Sequence, residues 1–129
     1  MSQRQRYRRR PDRPVVAVRL LLDTEGFDYR KWGDQQHCKP GDWLVDSDGD
    51  IYTVDAATFE RTYRSVGKGT YVKSTPVWAE ASEKAGSVST QEGRTHFAAG
   101  DFLVSNNEEG TDSYAIEAKK FHALYERDD

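Results

Sequence analysis

Short runs rich in β-branched and aromatic residues, broken by glycine- and aspartate-bearing turns, set the pattern of the chain. Val15 to Leu22 is the first such run, Val77 to Ala81 its later counterpart, and both follow a proline, Pro14 or Pro76. Trp43-Leu44-Val45 and Phe102-Leu103-Val104 are continuous apolar triplets, which predicts strands covered on both faces. Asp48-Gly49 lies between Trp43-Leu44-Val45 and Ile51-Tyr52-Thr53-Val54, a two-residue hairpin signal. Ser87 to Thr90, a turn at Glu92-Gly93 and Thr95-His96-Phe97 predict a second hairpin, whereas Phe27 to Cys38 matches neither template. Asp55 predicts an N-cap for a helix over Ala56 to Arg64, with Glu117 as its counterpart. Phe59 and Tyr63 are spaced i and i+4, which places both rings on one helix face, and Phe121 and Tyr125 repeat the spacing.

These features recur in the same order. Gly41-Asp42-Trp43-Leu44-Val45 matches Gly100-Asp101-Phe102-Leu103-Val104, and Tyr52, Phe59 and Tyr63 match Tyr114, Phe121 and Tyr125. The offset is 62 residues at the prolines, 59 at the Gly-Asp turns and 62 again from the tyrosines on. Length changes confined to loops are what a folded repeat tolerates. The chain therefore reads as a basic arm (residues 1–6), a first copy (7–66), a glycine-rich linker (67–70) and a second copy (71–129). The predicted fold class is α+β, mostly β: two pseudo-symmetric sheet-plus-short-helix repeats packed into one globule. Packing is required because a lobe of this size is marginal alone. Trp43, Val45, Phe59, Phe102, Val104 and Phe121 are the expected core.

Composition narrows the class. Hydrophobic residues are 36% and charged residues 32% of the 129 positions, yet 15 aromatics are enough to nucleate a core. No apolar run reaches the ~18 residues of a membrane span, and no apolar segment follows the basic N-terminus as in a secretory signal. The single cysteine, Cys38, excludes an internal disulfide and suits a reducing cytosol. The net charge of -3 is uneven: residues 1–14 carry six arginines against Asp12, or +5, so the remainder carries -8. Arg8, Arg9 and Arg10 within that arm are candidates for phosphate contacts. The competing reading is a solvated tail, or one that contacts the chain's own acidic surface.

Candidate chemistry is sparse. Asp42 and Asp101 could form a pseudo-symmetric carboxylate pair, but a residue repeated at one structural position more naturally serves the turn, where Asp caps backbone N–H groups. Asp46, Asp48 and Asp50 resemble a calcium loop; Ile51 and Ala57 occupy the places that need glycine and glutamate, which leaves a polar hairpin tip. His37, Cys38, His96 and His122 have no zinc-ligand spacing, and Cys38 has no partner fixed by sequence as a nucleophile's base. The repeated aromatics could stack bases, but their equivalence argues for two matching cores. No phosphate-loop or dinucleotide fingerprint occurs; Gly67-Lys68-Gly69-Thr70 lacks the spacing.

Tyr7-Arg8-Arg9-Arg10-Pro11, the Pro-Val-Val-Ala-Val run and Pro40-Gly41-Asp42-Trp43-Leu44-Val45 resemble small phage and bacterial proteins with a PGDYG motif. Thr90-Gln91-Glu92-Gly93, Gly100-Asp101-Phe102 and Gly49-Asp50-Ile51-Tyr52 extend the resemblance over most of the chain. The first copy lacks the Thr-x-Glu-Gly hairpin, and Ala99 replaces the proline in the second. The family is usually single-copy and carries no established activity. What the resemblance implies is a compact fold in the bacterial cytosol and a mobile-element context.

The resulting expectation is a non-catalytic binding module, an accessory protein of phage or bacterial conflict systems. It would hold a protein or small anionic ligand near the groove between repeats, with Asp42, Asp101, Arg94 and His96 as contacts and no metal or cofactor. The alternatives are a nucleic-acid-associated protein using the arginine arm, and a small nucleotide-directed enzyme with Asp42 and Asp101 or His96 in its site.

Overall fold

A computed structural model describes residues 4–128 of the chain. In chain order the elements are β1 (Gln5–Arg9), β2 (Val15–Arg19), β3 (Phe27–Lys31), β4 (Asp34–Cys38), β5 (Trp43–Ser47), β6 (Asp50–Val54), α1 (Ala56–Thr62) and β7 (Tyr63–Gly67). They continue with β8 (Thr70–Lys73), β9 (Val77–Ala81), β10 (Gly86–Ser89), β11 (Arg94–Phe97), β12 (Phe102–Ser105), β13 (Ser113–Ile116), α2 (Ala118–Leu124) and β14 (Tyr125–Arg127). The protein is mostly-β α+β, as its turn-punctuated pattern predicts. Among the described residues it forms two five-stranded sheets, ordered β6-β5-β2-β8-β7 and β13-β12-β9-β1-β14, and two separate hairpins, β3-β4 and β10-β11.

Local chemistry accounts for most elements. In β2, Val15 and Ala17 are buried while Val16 and Val18 stay exposed, the period-two signature of a strand covered on one face. Asp48 and Gly49 both take positive φ, the shape of the two-residue turn that holds β5 and β6 in register at Ser47↔Asp50. Trp32 and Gly33 take the same shape (φ 57 and 83) between β3 and β4. That hairpin escapes the sequence pattern because tryptophan stands where the turn favours Asn, Asp or Gly. Asp55 caps α1 by accepting from the Thr58 N–H at 3.1 Å, whereas Glu117 makes no such side-chain bond to α2. Both helices are shorter than expected, since Tyr63 and Tyr125 are already extended and paired with Lys73 and Arg9. The triplets are covered more on one face: Val45 and Val104 are fully buried, Leu44 and Leu103 only half-buried.

The expected arm and linker are built differently. Residues 1–3 lie outside the described residues, but the chain is strand from Gln5, and β1 sits between β9 and β14. The segment 67–70 is a hairpin turn, with Gly67 ending β7 and Thr70 opening β8. β8 in turn sits between β2 and β7. Each of these strands therefore completes a sheet built mainly from the other half of the chain. Tyr7 pairs with Val77 and Tyr71 pairs with Val15, so the two insertions share a register.

The cores repeat that exchange. Phe59 stacks between Trp43 (4.2 Å) and Tyr63 (4.5 Å), and Tyr71 meets its edge at 5.2 Å. Phe121 stacks between Phe102 (4.3 Å) and Tyr125 (5.1 Å), and Tyr7 meets its edge at 4.8 Å. Edge-on and stacked ring pairs add stabilisation of about 0.5–1.5 kcal/mol each beyond area. Of the expected core, Val45, Phe59, Phe102, Val104 and Phe121 are buried, and Trp43 is half-buried against Phe59.

The two hairpins interlock. The His37 N–H donates to Glu92 O (2.6 Å), the His96 N–H to Trp32 O (3.0 Å) and Gln36 Nε2 to Arg94 O (2.7 Å). Gly93 lies so close to the Gln35 carbonyl that a Cβ there would collide with it.

Candidate functional site

A cavity of about 370 Å³ opens where the two sheets and the interlocked hairpins meet. Residues from both halves of the chain line it: Tyr52 and Tyr114, Tyr63 and Tyr125, Ser47 and Asn106, Asp50 and Asp112. Arg9 and Lys73 complete the set. Each is the third position of its exchanged strand counted from Tyr7 or Tyr71, and each pairs with the tyrosine that follows a helix, Arg9 with Tyr125 and Lys73 with Tyr63. The strand exchange thus brings two cations inside.

Both cations are deeply buried, 6% exposed for Arg9 and 7% for Lys73. Arg9 donates from Nε to Arg13 O (2.9 Å) and from Nη2 to Ser47 Oγ (3.2 Å), and its guanidinium stands 5.5 Å from the Tyr125 ring centre. Lys73 Nζ donates to Tyr114 Oη (3.1 Å) and lies 5.3 Å from the Tyr114 ring centre and 5.8 Å from that of Tyr63. Tyr114 and Tyr125 hydroxyls are 3.3 Å apart. Neither cation has a carboxylate in ion-pair contact among the described residues. Burial holds Lys73 below the usual lysine range. Burial raises the phenols of Tyr52, Tyr63 and Tyr114. It acts the same way on Tyr125, but Lys73 and Arg9 beside that hydroxyl outweigh it and the net direction is down.

The acids on the wall are engaged elsewhere. Asp50 pairs with Lys31 (2.8 Å) and closely with Lys120; burial acts against its charge, and the two ammonium groups win and hold its carboxyl below the usual range. Asp112 accepts from Asn106 Nδ2 (2.9 Å) and lies 3.9 Å from Arg61. Asn106 Oδ1 is buried with no hydrogen-bond partner among the described residues. Glu92 accepts from the Asp55 N–H (2.9 Å), and burial pushes its carboxyl up to about 7.

The residues singled out by sequence are divided by the fold. Asp101 and His96 reach the cavity wall; Asp42 and Arg94 do not. Asp42, 1% exposed, accepts from the Lys39 N–H (2.9 Å), from Lys39 Nζ (3.2 Å) and from the Ala56 N–H (3.0 Å), which ties its turn to the start of α1. Asp101 accepts from the Ala98 N–H (2.9 Å) in the matching turn. Arg94 donates to Ser87 Oγ (2.8 Å), and His96 is exposed, 3.3 Å from Asp34. Cys38 is buried and its thiol is pushed up by burial, the opposite of an activated nucleophile. Among the described residues no group of three His, Cys, Asp or Glu side chains could hold a metal ion.

The arginines of the N-terminal segment meet the acidic C-terminus. Arg8 pairs with Glu126 (2.8 Å) and Arg10 with Glu126 (3.2 Å) and His122 O (3.1 Å), as the Arg8↔Glu126 register requires. Arg9 points the other way, into the cavity. Lys73 was missed by sequence reading, although Tyr7-Arg8-Arg9 and Tyr71-Val72-Lys73 share an aromatic start and a terminal cation.

Fold and site define a mostly-β α+β protein whose exchanged strands enclose a cation-floored cavity. No family model, curated protein or solved structure matches the chain. No helix among the described residues is long and apolar enough to cross a membrane.

Proposed function

We propose that the protein is a non-catalytic binding module that holds a small anionic ligand in the cavity between its two sheets. The observation that carries this reading is the pair Arg9 and Lys73. A buried charge without a counter-charge is costly, and a bound anion removes that cost. Tyr125, Tyr114 and Ser47 line the same space with hydroxyls that can donate, and of the acids on the wall Asp50 is held by Lys31 and Lys120 and Asp112 by Asn106. The enclosed volume lies at the lower end of the ~300–1,000 Å³ typical of small-molecule sites. The nucleic-acid alternative draws less support, because Arg8 and Arg10 already pair with Glu126 and Arg9 is withdrawn from the surface.

The test is thermal unfolding and calorimetric titration with inorganic phosphate, sulfate and small phosphate esters. A ligand at 100 times its Kd stabilises by about 2.7 kcal/mol. The Lys73→Met protein should unfold at the same temperature or higher when free, since an apolar replacement avoids the buried charge, yet lose most of the anion-dependent gain. Equal gains in wild type and Lys73→Met would remove the reading.

A further inference from the structure

The rim of the cavity holds a second unusual residue. Trp32 opens the β3-β4 turn with φ 57, a left-handed backbone that bulky side chains rarely adopt. The corresponding position of the β5-β6 turn is Asp48, with φ 53, the ordinary choice for such a turn. The turn does not need the indole, and a strained residue at a site is a reason to look for a role. Trp32 lines the cavity, 5.7 Å from the Tyr52 ring centre and with Lys31 Nζ 5.3 Å from its own ring centre. Tyr52 lines the same cavity, and Arg9 acts electrostatically on its phenol. The indole at the rim and the cations at the floor therefore belong to one space.

Resting on the anion-binding reading above, we propose that the ligand is a nucleoside phosphate. Its phosphoryl group lies between Arg9 and Lys73 and its base lies against Trp32. Stacking on an aromatic face is tolerant of base identity because every base has a π face. Asn106 lines the cavity, and its Oδ1 is closed off just behind that wall with no partner among the described residues; a small local shift would let a sugar hydroxyl, but not a phosphate dianion, supply the missing donor. Thr58 and Thr62 also line the cavity, with their hydroxyls donating to Asp55 Oδ2 and to Thr58 O. The three observations ask for an anion, a hydroxyl donor and a flat ring in one small molecule.

The experiment titrates the full chain with inorganic phosphate, ribose 5-phosphate, adenosine, adenosine 5′-monophosphate and guanosine 5′-monophosphate, followed by calorimetry and indole fluorescence. Either nucleotide should bind at least tenfold more tightly than ribose 5-phosphate and quench Trp32. Adenosine, lacking the phosphate, should bind at least tenfold more weakly than its monophosphate. The Trp32→Asn variant relieves the turn and so should fold normally; it should bind ribose 5-phosphate as wild type does and lose the nucleotide preference. If ribose 5-phosphate and the nucleotides bind alike, or Trp32→Asn keeps the preference, the nucleoside assignment is wrong while the anion site stands. Adenosine binding as tightly as its monophosphate overturns the phosphate placement. No binding of any phosphate by wild type overturns both this assignment and the reading beneath it.

Discussion

Lys73 and Glu92 are both ionisable groups taken out of water, and they shift in opposite ways for one reason: burial disfavours whichever form is charged. The consequence for stability is clearest at Glu92. Its folded value, about 7, stands above the ordinary 4.5, so between those values the folded protein holds a proton that the unfolded chain has released. Stability from this residue is present in full below about 4.5 and is lost as the pH rises through 7. The loss is at most about 3.5 kcal/mol, from a linkage of about 1.4 kcal/mol per unit. Denaturant melts at pH 5 and pH 8 should show wild type losing stability relative to Glu92→Gln, whose amide cannot ionise. Identical pH dependence in the two proteins would place Glu92 in contact with water.

Each sheet is closed by a short helix of seven residues, too short to persist alone, so tertiary packing must hold it in place. The packing is a ring stack. Phe59 and Phe121 lie at the centre of their stacks, 1% and 0% exposed, each sandwiched by one ring from the central apolar strand and one from the strand after the helix. Truncating either to alanine should cost about 3–5 kcal/mol, the range for a large aromatic lost from a site that cannot collapse. The checking measurement is chemical denaturation of both variants; a cost below about 1 kcal/mol would mean the neighbouring rings close over the gap. The Phe59/Tyr63 and Phe121/Tyr125 pairs were legible from their i, i+4 spacing. The termination of both helices just before the tyrosines was not, because it is imposed by pairing with β8 and β1.

Strand exchange ties the two sheets together. β1 has hydrogen-bonded neighbours on both sides, β9 and β14, and Tyr7 packs on Phe121. Deleting residues 1–10 should therefore leave two unpaired edges and an opened core, and abolish a cooperative thermal transition in calorimetry together with the near-ultraviolet signal of packed aromatics. A disposable arm would leave both intact. The same deletion removes Arg9 from the cavity, so the proposed anion site and the second sheet depend on the same segment.

The local grammar of the protein was set by its sequence alone. Period-two burial in β2, the Asp48-Gly49 turn, the Asp55 cap and the matched apolar triplets all depend on neighbours a few residues apart, and such interactions follow from residue type. The core aromatics were also legible, since a ring repeated at constant spacing has one obvious use. Tertiary structure alone decided where β1 and β8 pair, and with it the fate of every arginine in the N-terminal segment. In Tyr7-Arg8-Arg9-Arg10 consecutive side chains alternate between faces, so once the strand is inserted Arg8 meets Glu126 at the surface while Arg9 is buried. Three adjacent arginines look alike in sequence because charge is a property of the residue; burial is a property of the partner strand, and here that partner lies in the other half of the chain, about seventy to one hundred and twenty residues away.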